Sequence, residues 1–204
     1  MDMDPEKTGL VPPQEGGGQS NTEASRSFGS EAEANTFFDV LKARLLNVND
    51  WHRMAGAATA VFQLTDAEGL EVDRTVQAGD HFKIDIPGPG SVTGEGFDWV
   101  QVEAIDEGEA DGAEHLTIRV RPATDPNTPR PDVAHFFSDD ATSSFMVRRE
   151  GTTVTAAVYG RNEKPNTAAE KLVDKARNLA VASGAIAAAS KFQWKSLVEG
   201  LVRE

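Results

Sequence analysis

The chain has 204 residues, no cysteine and a formal net charge of −13. This excludes a disulfide scaffold, a thiol nucleophile and a cysteine zinc site. It also argues against binding nucleic acid or anionic lipid, which need a lysine and arginine surface.

Residues 1–28 contain PPQEGGGQSN and almost no large apolar side chains. They read as a disordered acidic tail, unable to bury enough surface to offset chain entropy. The start, MDMDPEKTGL, lacks the apolar core of a secretory signal. The most apolar run, AVASGAIAAA, is too short to span a membrane. A cytoplasmic setting is the expectation, with residues 29–204 as a single domain.

Order is expected from Ser30, where Ser30-Glu31-Ala32-Glu33 fits a capping box. Ala34, Phe37, Phe38, Leu41, Leu45 and Val48 then share one helical face. A connection over residues 51–57 follows. Ala60, Phe62 and Leu64 alternate as a strand, and Val72 and Val76 as a weaker one. Phe82, Ile84 and Ile86 alternate against His81, Lys83 and Asp85. Val100, Val102 and Ala104 repeat the pattern. Leu116, Ile118 and Val120 repeat it again, opposite His115, Thr117, Arg119 and Arg121. Residues 122–142 hold four prolines and read as a long connection that Phe136 and Phe137 pin down. A hairpin comes next: Phe145 and Val147, a turn at Glu150-Gly151, then Val154, Ala156 and Val158. Asn166 or Thr167 caps a helix with Leu172, Ala176, Leu179 and Ser183 on one face, bent or ended by Gly184. A last helical stretch carries Phe192, Trp194, Leu197, Val198 and Leu201. The fold class is α+β: a curved antiparallel sheet or partial barrel of about six or seven strands, with N- and C-terminal helices packed on it.

The stretch GDHFKIDIPGPGSVTGEGFDWVQVEAIDEG joins two of these strands. Its glycines fit neither a phosphate loop nor a dinucleotide fingerprint, because the spacing fails and a strand follows instead of a helix. Pro87 and Pro89 stiffen the loop while Gly88, Gly90, Gly94 and Gly96 allow it to turn. Phe97 and Trp99 close its base. The functional version of this loop is a pocket rim with Asp98 and Trp99 at the mouth.

The pattern GDHFKIDIPGPG…GFDWVQVEAI, with WHRMAG upstream and QWKSL near the end, resembles an uncharacterised conserved family of bacterial proteins, from about Phe37 onward. That resemblance implies no activity, cofactor or catalytic residue. A looser architectural similarity is to the helix-grip ligand-binding superfamily, in which a curved antiparallel sheet grips a long C-terminal helix. That superfamily begins with a strand, whereas the elements read here begin with a helix.

Four histidines are present: His52, His81, His115 and His135. His81 and His115 lie on polar strand faces and would need neighbouring strands and a carboxylate to hold a metal. The run from His135 to Asp140 sets a histidine near Ser138, Asp139 and Asp140, but without a nucleophile elbow. Glu107, Glu109 and Asp111 resemble part of a calcium loop, yet position twelve of that frame is Ile118. Trp51-His52-Arg53 lies between helix and strand, where the tryptophan anchors one on the other. No cofactor or metal is implied.

Two functional readings result. One is a non-enzymatic binding or interaction protein holding a small apolar ligand, or contacting a protein partner. Its candidate site is Trp51, His52, Phe82, Asp98, Trp99, Phe145 and Tyr159. The other is an enzyme with a pocket at the open end of the sheet, using His52, His135, Asp98 or Asp139.

Overall fold

The computed structural model of the chain describes residues 4–56, 59–86, 94–129, 132–166 and 191–204. Seven strands form one antiparallel sheet: Gly18–Ser27 (β1), Val61–Thr65 (β2), His81–Asp85 (β3), Asp98–Ala110 (β4), Ala113–Pro122 (β5), Thr142–Glu150 (β6) and Thr153–Glu163 (β7). Their spatial order is β1-β7-β6-β5-β4-β3-β2, with β1 and β2 at the open edges. Helix α1 spans Glu31–Leu46, α2 spans Trp51–Ala55, and residues 191–201 are helical (α3). The α+β reading holds.

Tight turns set the register. Asp111 and Gly112 both have positive φ, 53° and 80°, and join Ala110 to its partner Ala113. That is the two-residue turn whose twist suits a hairpin. Farther down the same pair, the register shifts between Val102 and Ala104. The extra residue, Glu103, pairs with Arg119 at 2.8 Å and Arg121 at 2.6 Å.

One face of the sheet carries the main core. Phe62, Leu64, Phe82, Ile84, Val100, Val102, Leu116, Ile118, Val120, Phe145, Val147, Val154, Ala156 and Val158 all join it. Helix α1 covers part of this face with Ala34, Phe38, Leu41 and Leu45. Ser30 caps it, accepting from the Glu33 amide, while the Glu33 carboxylate reaches back to the Gly29 amide. Trp51 is fully buried, and its indole N–H donates to the carbonyls of Arg44 and Leu45. Its ring packs on Phe62, Phe82 and Phe145 at 5.3, 5.7 and 4.8 Å. Leu197, Val198 and Leu201 of α3 complete the cluster.

Several expectations are corrected. Residues 18–27 are a strand, not part of a disordered tail. Polar residues suffice there because β1 is an edge strand, paired only with β7 and tied by hydroxyl pairs Ser25–Thr155 (2.8 Å) and Ser27–Thr153 (3.0 Å). The sheet therefore begins with a strand ahead of α1, not with the helix expected first. Before it, Pro5–Thr8 form a 3-10 turn and Val11 is buried. Val72 and Val76 do not form a strand. Instead, Asp80 gathers that loop, accepting both guanidinium nitrogens of Arg74 (2.6 and 2.8 Å) and the Gln77 amide (2.8 Å). His81, His115 and Thr117 are buried rather than solvated. Phe192 is exposed, while Trp194 on the same helix packs against the core. The expected helix face Leu172, Ala176, Leu179 and Ser183, with Gly184, lies outside the described residues, as do Pro87 to Gly90 of the glycine-rich loop.

Trp51→Ala is expected to lower stability by about 3–5 kcal/mol, the range for truncating a buried aromatic. Urea denaturation checks this. Trp51→Phe, which keeps an aromatic ring but loses the indole N–H bonds, should cost less.

Candidate functional site

The candidate residues are scattered over both faces of the sheet and α2. Trp51, Phe82 and Phe145 belong to the core cluster just described, where Trp51 packs on both phenylalanines. Tyr159 is buried on the opposite face of the sheet, where its hydroxyl lies 3.3 Å from Arg148 and Arg161 sits over its ring at 5.7 Å. Asp98 and Trp99, adjacent on β4, point to opposite faces. They do not line one cavity among the described residues. Two depressions among the described residues are open to the surface: one along α1 at Ala32, Glu33, Thr36, Phe37 and Val40, and one beside β1, β6 and β7 at Glu23, Ser25, Arg148, Glu150, Thr153 and Thr155.

Asp98 is the unusual group. It lies opposite Ile84 on β3, and strand parity puts it on the core face with Val100 and Val102. It is 6% exposed, and no hydrogen bond or ion pair reaches its carboxyl among the described residues. The backbone holds it rigidly. The Trp99 N–H donates to Ala134 O (2.8 Å), Trp99 O accepts from Ala123 N–H (2.9 Å), and β3 pairs on the other side. Gly94 is required nearby, because a Cβ there would stand 2.0 Å from the Phe97 carbonyl oxygen. Burial alone pushes the Asp98 carboxyl up from an ordinary 3.8 to about 7.

The histidines do not converge. His81 pairs with Gln101 and His115 with Gly108, positions seven apart on β4 (108 minus 101), or roughly 20 Å of strand. No group of three metal-ligating side chains occurs among the described residues. His115 instead contacts Asp106 at 2.9 Å. His81 is held below its ordinary pKa by burial, with Trp99 edge-on at 6.5 Å. His135 stacks on Phe136 at 4.3 Å, its Nδ1 accepts from the Phe137 N–H at 3.0 Å, and burial takes its pKa down to about 3. Asp139 is exposed, and Asp140 pairs with Lys164 at 2.8 Å. His52 lies on α2 with a buried Nδ1 that has no partner among the described residues. No hydrogen bond joins any two of His52, Asp98, His135 and Asp139.

Sequence reasoning placed Asp98 at a pocket mouth. The parity of Asp98, Val100 and Val102 carried the better signal, an acid on the apolar face of a strand. The same reasoning missed Val11 and Asn162, which hold the N-terminal segment in place. Leu10-Val11, the only pair of large aliphatic residues in that segment, was the available clue.

Neither a protein-family model nor a curated protein matches the chain. Among solved structures it is similar to a hypothetical protein from Helicobacter pylori, 11% identical, covering 89% of this chain and 86% of that one with a TM-score of 0.47. A protein from Arthrobacter aurescens is 12% identical over 98% of this chain and 89% of that one, TM-score 0.40. Norcoclaurine synthase from Thalictrum flavum, in complex with dopamine and hydroxybenzaldehyde, is 8% identical over 98% and 94%, TM-score 0.35. These likenesses are too distant to bear on the site. No helix among the described residues is long and apolar enough to cross a membrane.

Asp98 should make stability fall with pH. The unfolded chain loses this proton near 3.8 and the folded chain only near 7. Folding therefore carries no penalty below the lower value, a growing one between the two, and a constant one above. Three pKa units correspond to roughly 4 kcal/mol. Asp98→Asn, never charged, should gain on the wild type by up to that amount as pH rises from 4 to 7.5, measured by urea denaturation. A difference that does not change with pH would contradict the assignment.

Proposed function

We propose that this is a non-enzymatic binding protein that takes a small, mostly apolar ligand on the helix-facing side of the sheet, with Asp98 as its polar anchor. The observation that carries the reading is the buried Asp98 carboxyl with no partner among the described residues. A buried polar group left unpaired is costly and is ordinarily satisfied within the fold. Perturbed titratable groups gather at binding and catalytic sites. A neutral carboxyl both donates and accepts, so it recognises a ligand carrying one hydrogen-bonding group on an apolar body. The aromatic cluster at Trp51 makes the adjoining sheet face rigid and apolar.

A second reading, an enzyme, rests on the same group, because an acid that titrates near neutral pH suits general acid–base work. It would need another titratable group beside Asp98, and none of the histidines is hydrogen-bonded to it.

Native mass spectrometry of freshly purified protein tests the first reading. The expected spectrum carries an added mass that leaves on unfolding and is lost in Asp98→Leu. A bare mass for the wild type would sink tight constitutive binding.

A further inference from the structure

We propose that the outer face of the sheet, over β5, β6 and β7, is a docking groove for an extended proline-containing segment of a partner protein, and that residues 9–16 of this chain occupy it in cis. The groove is already built around such a segment. Val11 is 2% exposed and forms a second apolar cluster with Ala113, Met146, Ala157 and Tyr159, separate from the main core. Ser144 Oγ donates to the Leu10 carbonyl at 2.5 Å, and Arg119 reaches the Gly9 carbonyl at 3.5 Å. Asn162, at φ +56°, clasps the far end. Its Oδ1 accepts the Glu15 and Gly16 amides at 2.7 and 3.1 Å, its Nδ2 donates to Pro13 O at 3.4 Å, and its N–H donates to Gln14 Oε1 at 2.9 Å. A side chain and backbone in the left-handed region, both turned onto a segment nearly 150 positions earlier, are the features of a peptide clamp.

Residues 9–16 belong to no helix or strand, so no backbone ladder fixes them in the place they fill. One buried valine and these hydrogen bonds stand against the entropy of ordering the whole segment. Gly16, Gly17 and Gly18 then join it to β1. Gly17 is at φ +73°, and a Cβ there would lie 2.9 Å from the Glu163 backbone. This is a glycine hinge at the strand's start. The chemistry of the partner follows from the tenant. An aliphatic residue enters the Met146–Ala157–Tyr159 patch, and prolines after it hold the chain extended before binding, which lowers the ordering cost. Arg119, Arg121, Arg148 and Arg161 all lie on this face of a chain whose net charge is −13. Three of them are already paired, Arg119 and Arg121 with Glu103 and Arg148 with Glu23, so the groove selects its occupant by apolar contact and hydrogen bonds rather than by charge.

The test uses the full chain and a fluorescent peptide of residues 8–17. Val11→Asp expels the tenant, so the variant should bind the peptide about tenfold or more tightly than wild type, whose groove is occupied. The peptide carrying the same substitution should not bind. Equal affinity for both chains, or binding by neither, would overturn the proposal. So would a doubled mass that Val11→Asp abolishes without any peptide binding, which would mean that copies exchange arms. Hydrogen exchange on the unaltered protein guards against a misfolded variant. The Glu15 and Gly16 amides should exchange well before those of β1, and exchange in step with β1 would make the arm an integral part of the fold.

Discussion

Trp51 is the constraint on which the inner half of the molecule depends. Its indole N–H must find an acceptor in a place with no solvent, and it finds the carbonyls of Arg44 and Leu45 at the end of α1. Those carbonyls would otherwise be orphans of the last helical turn. The ring then packs on Phe62, Phe82 and Phe145, which come from three separate strands. One side chain thereby fixes where α1 ends, how α2 begins and which sheet face the helices cover. Trp194, at 5.3 Å from Phe145 and 6.1 Å from Phe62, ties α3 into the same cluster.

This packing explains the state of Asp98. The same sheet face that suits Trp51 excludes water from the carboxyl at the start of β4, and no cation or amide among the described residues compensates. Burial therefore pushes the carboxyl up towards about 7, so the neutral form persists well above the ordinary carboxylate range. The opposite face follows different rules. There the arginines are paired, Glu103 bridges two of them, and a single valine from the N-terminal segment seals a small apolar patch. The two proposals thus use different faces of the sheet: a buried polar anchor on one side and a clamp for extended chain on the other.

Much of this was legible in the residues. Period-two alternation identified β2, β3, β5, β6 and β7, and the capping box placed the start of α1 to the residue. Trp51 as the anchor between helix and sheet also followed from its position. Three features were not legible, each for a physical reason. β1 is an edge strand with serine, threonine and asparagine facing out, so it carries almost no hydrophobic signal. His81 and His115 alternate with core residues and look solvated, because periodicity cannot reveal that loops and an arm cover the second face. The candidate aromatics were grouped by character alone, yet strand parity sends Tyr159 and Trp99 to one face and Phe82 and Phe145 to the other.

The charge state of Asp98 in the folded protein is the point on which the binding account turns. A carbon-13 NMR titration of its side-chain carboxyl between pH 3 and pH 9 measures it directly. The account predicts a midpoint near 7, as burial requires. A midpoint at the ordinary carboxylate value would show that the group is solvated or paired, and the anchor assigned to it would be withdrawn.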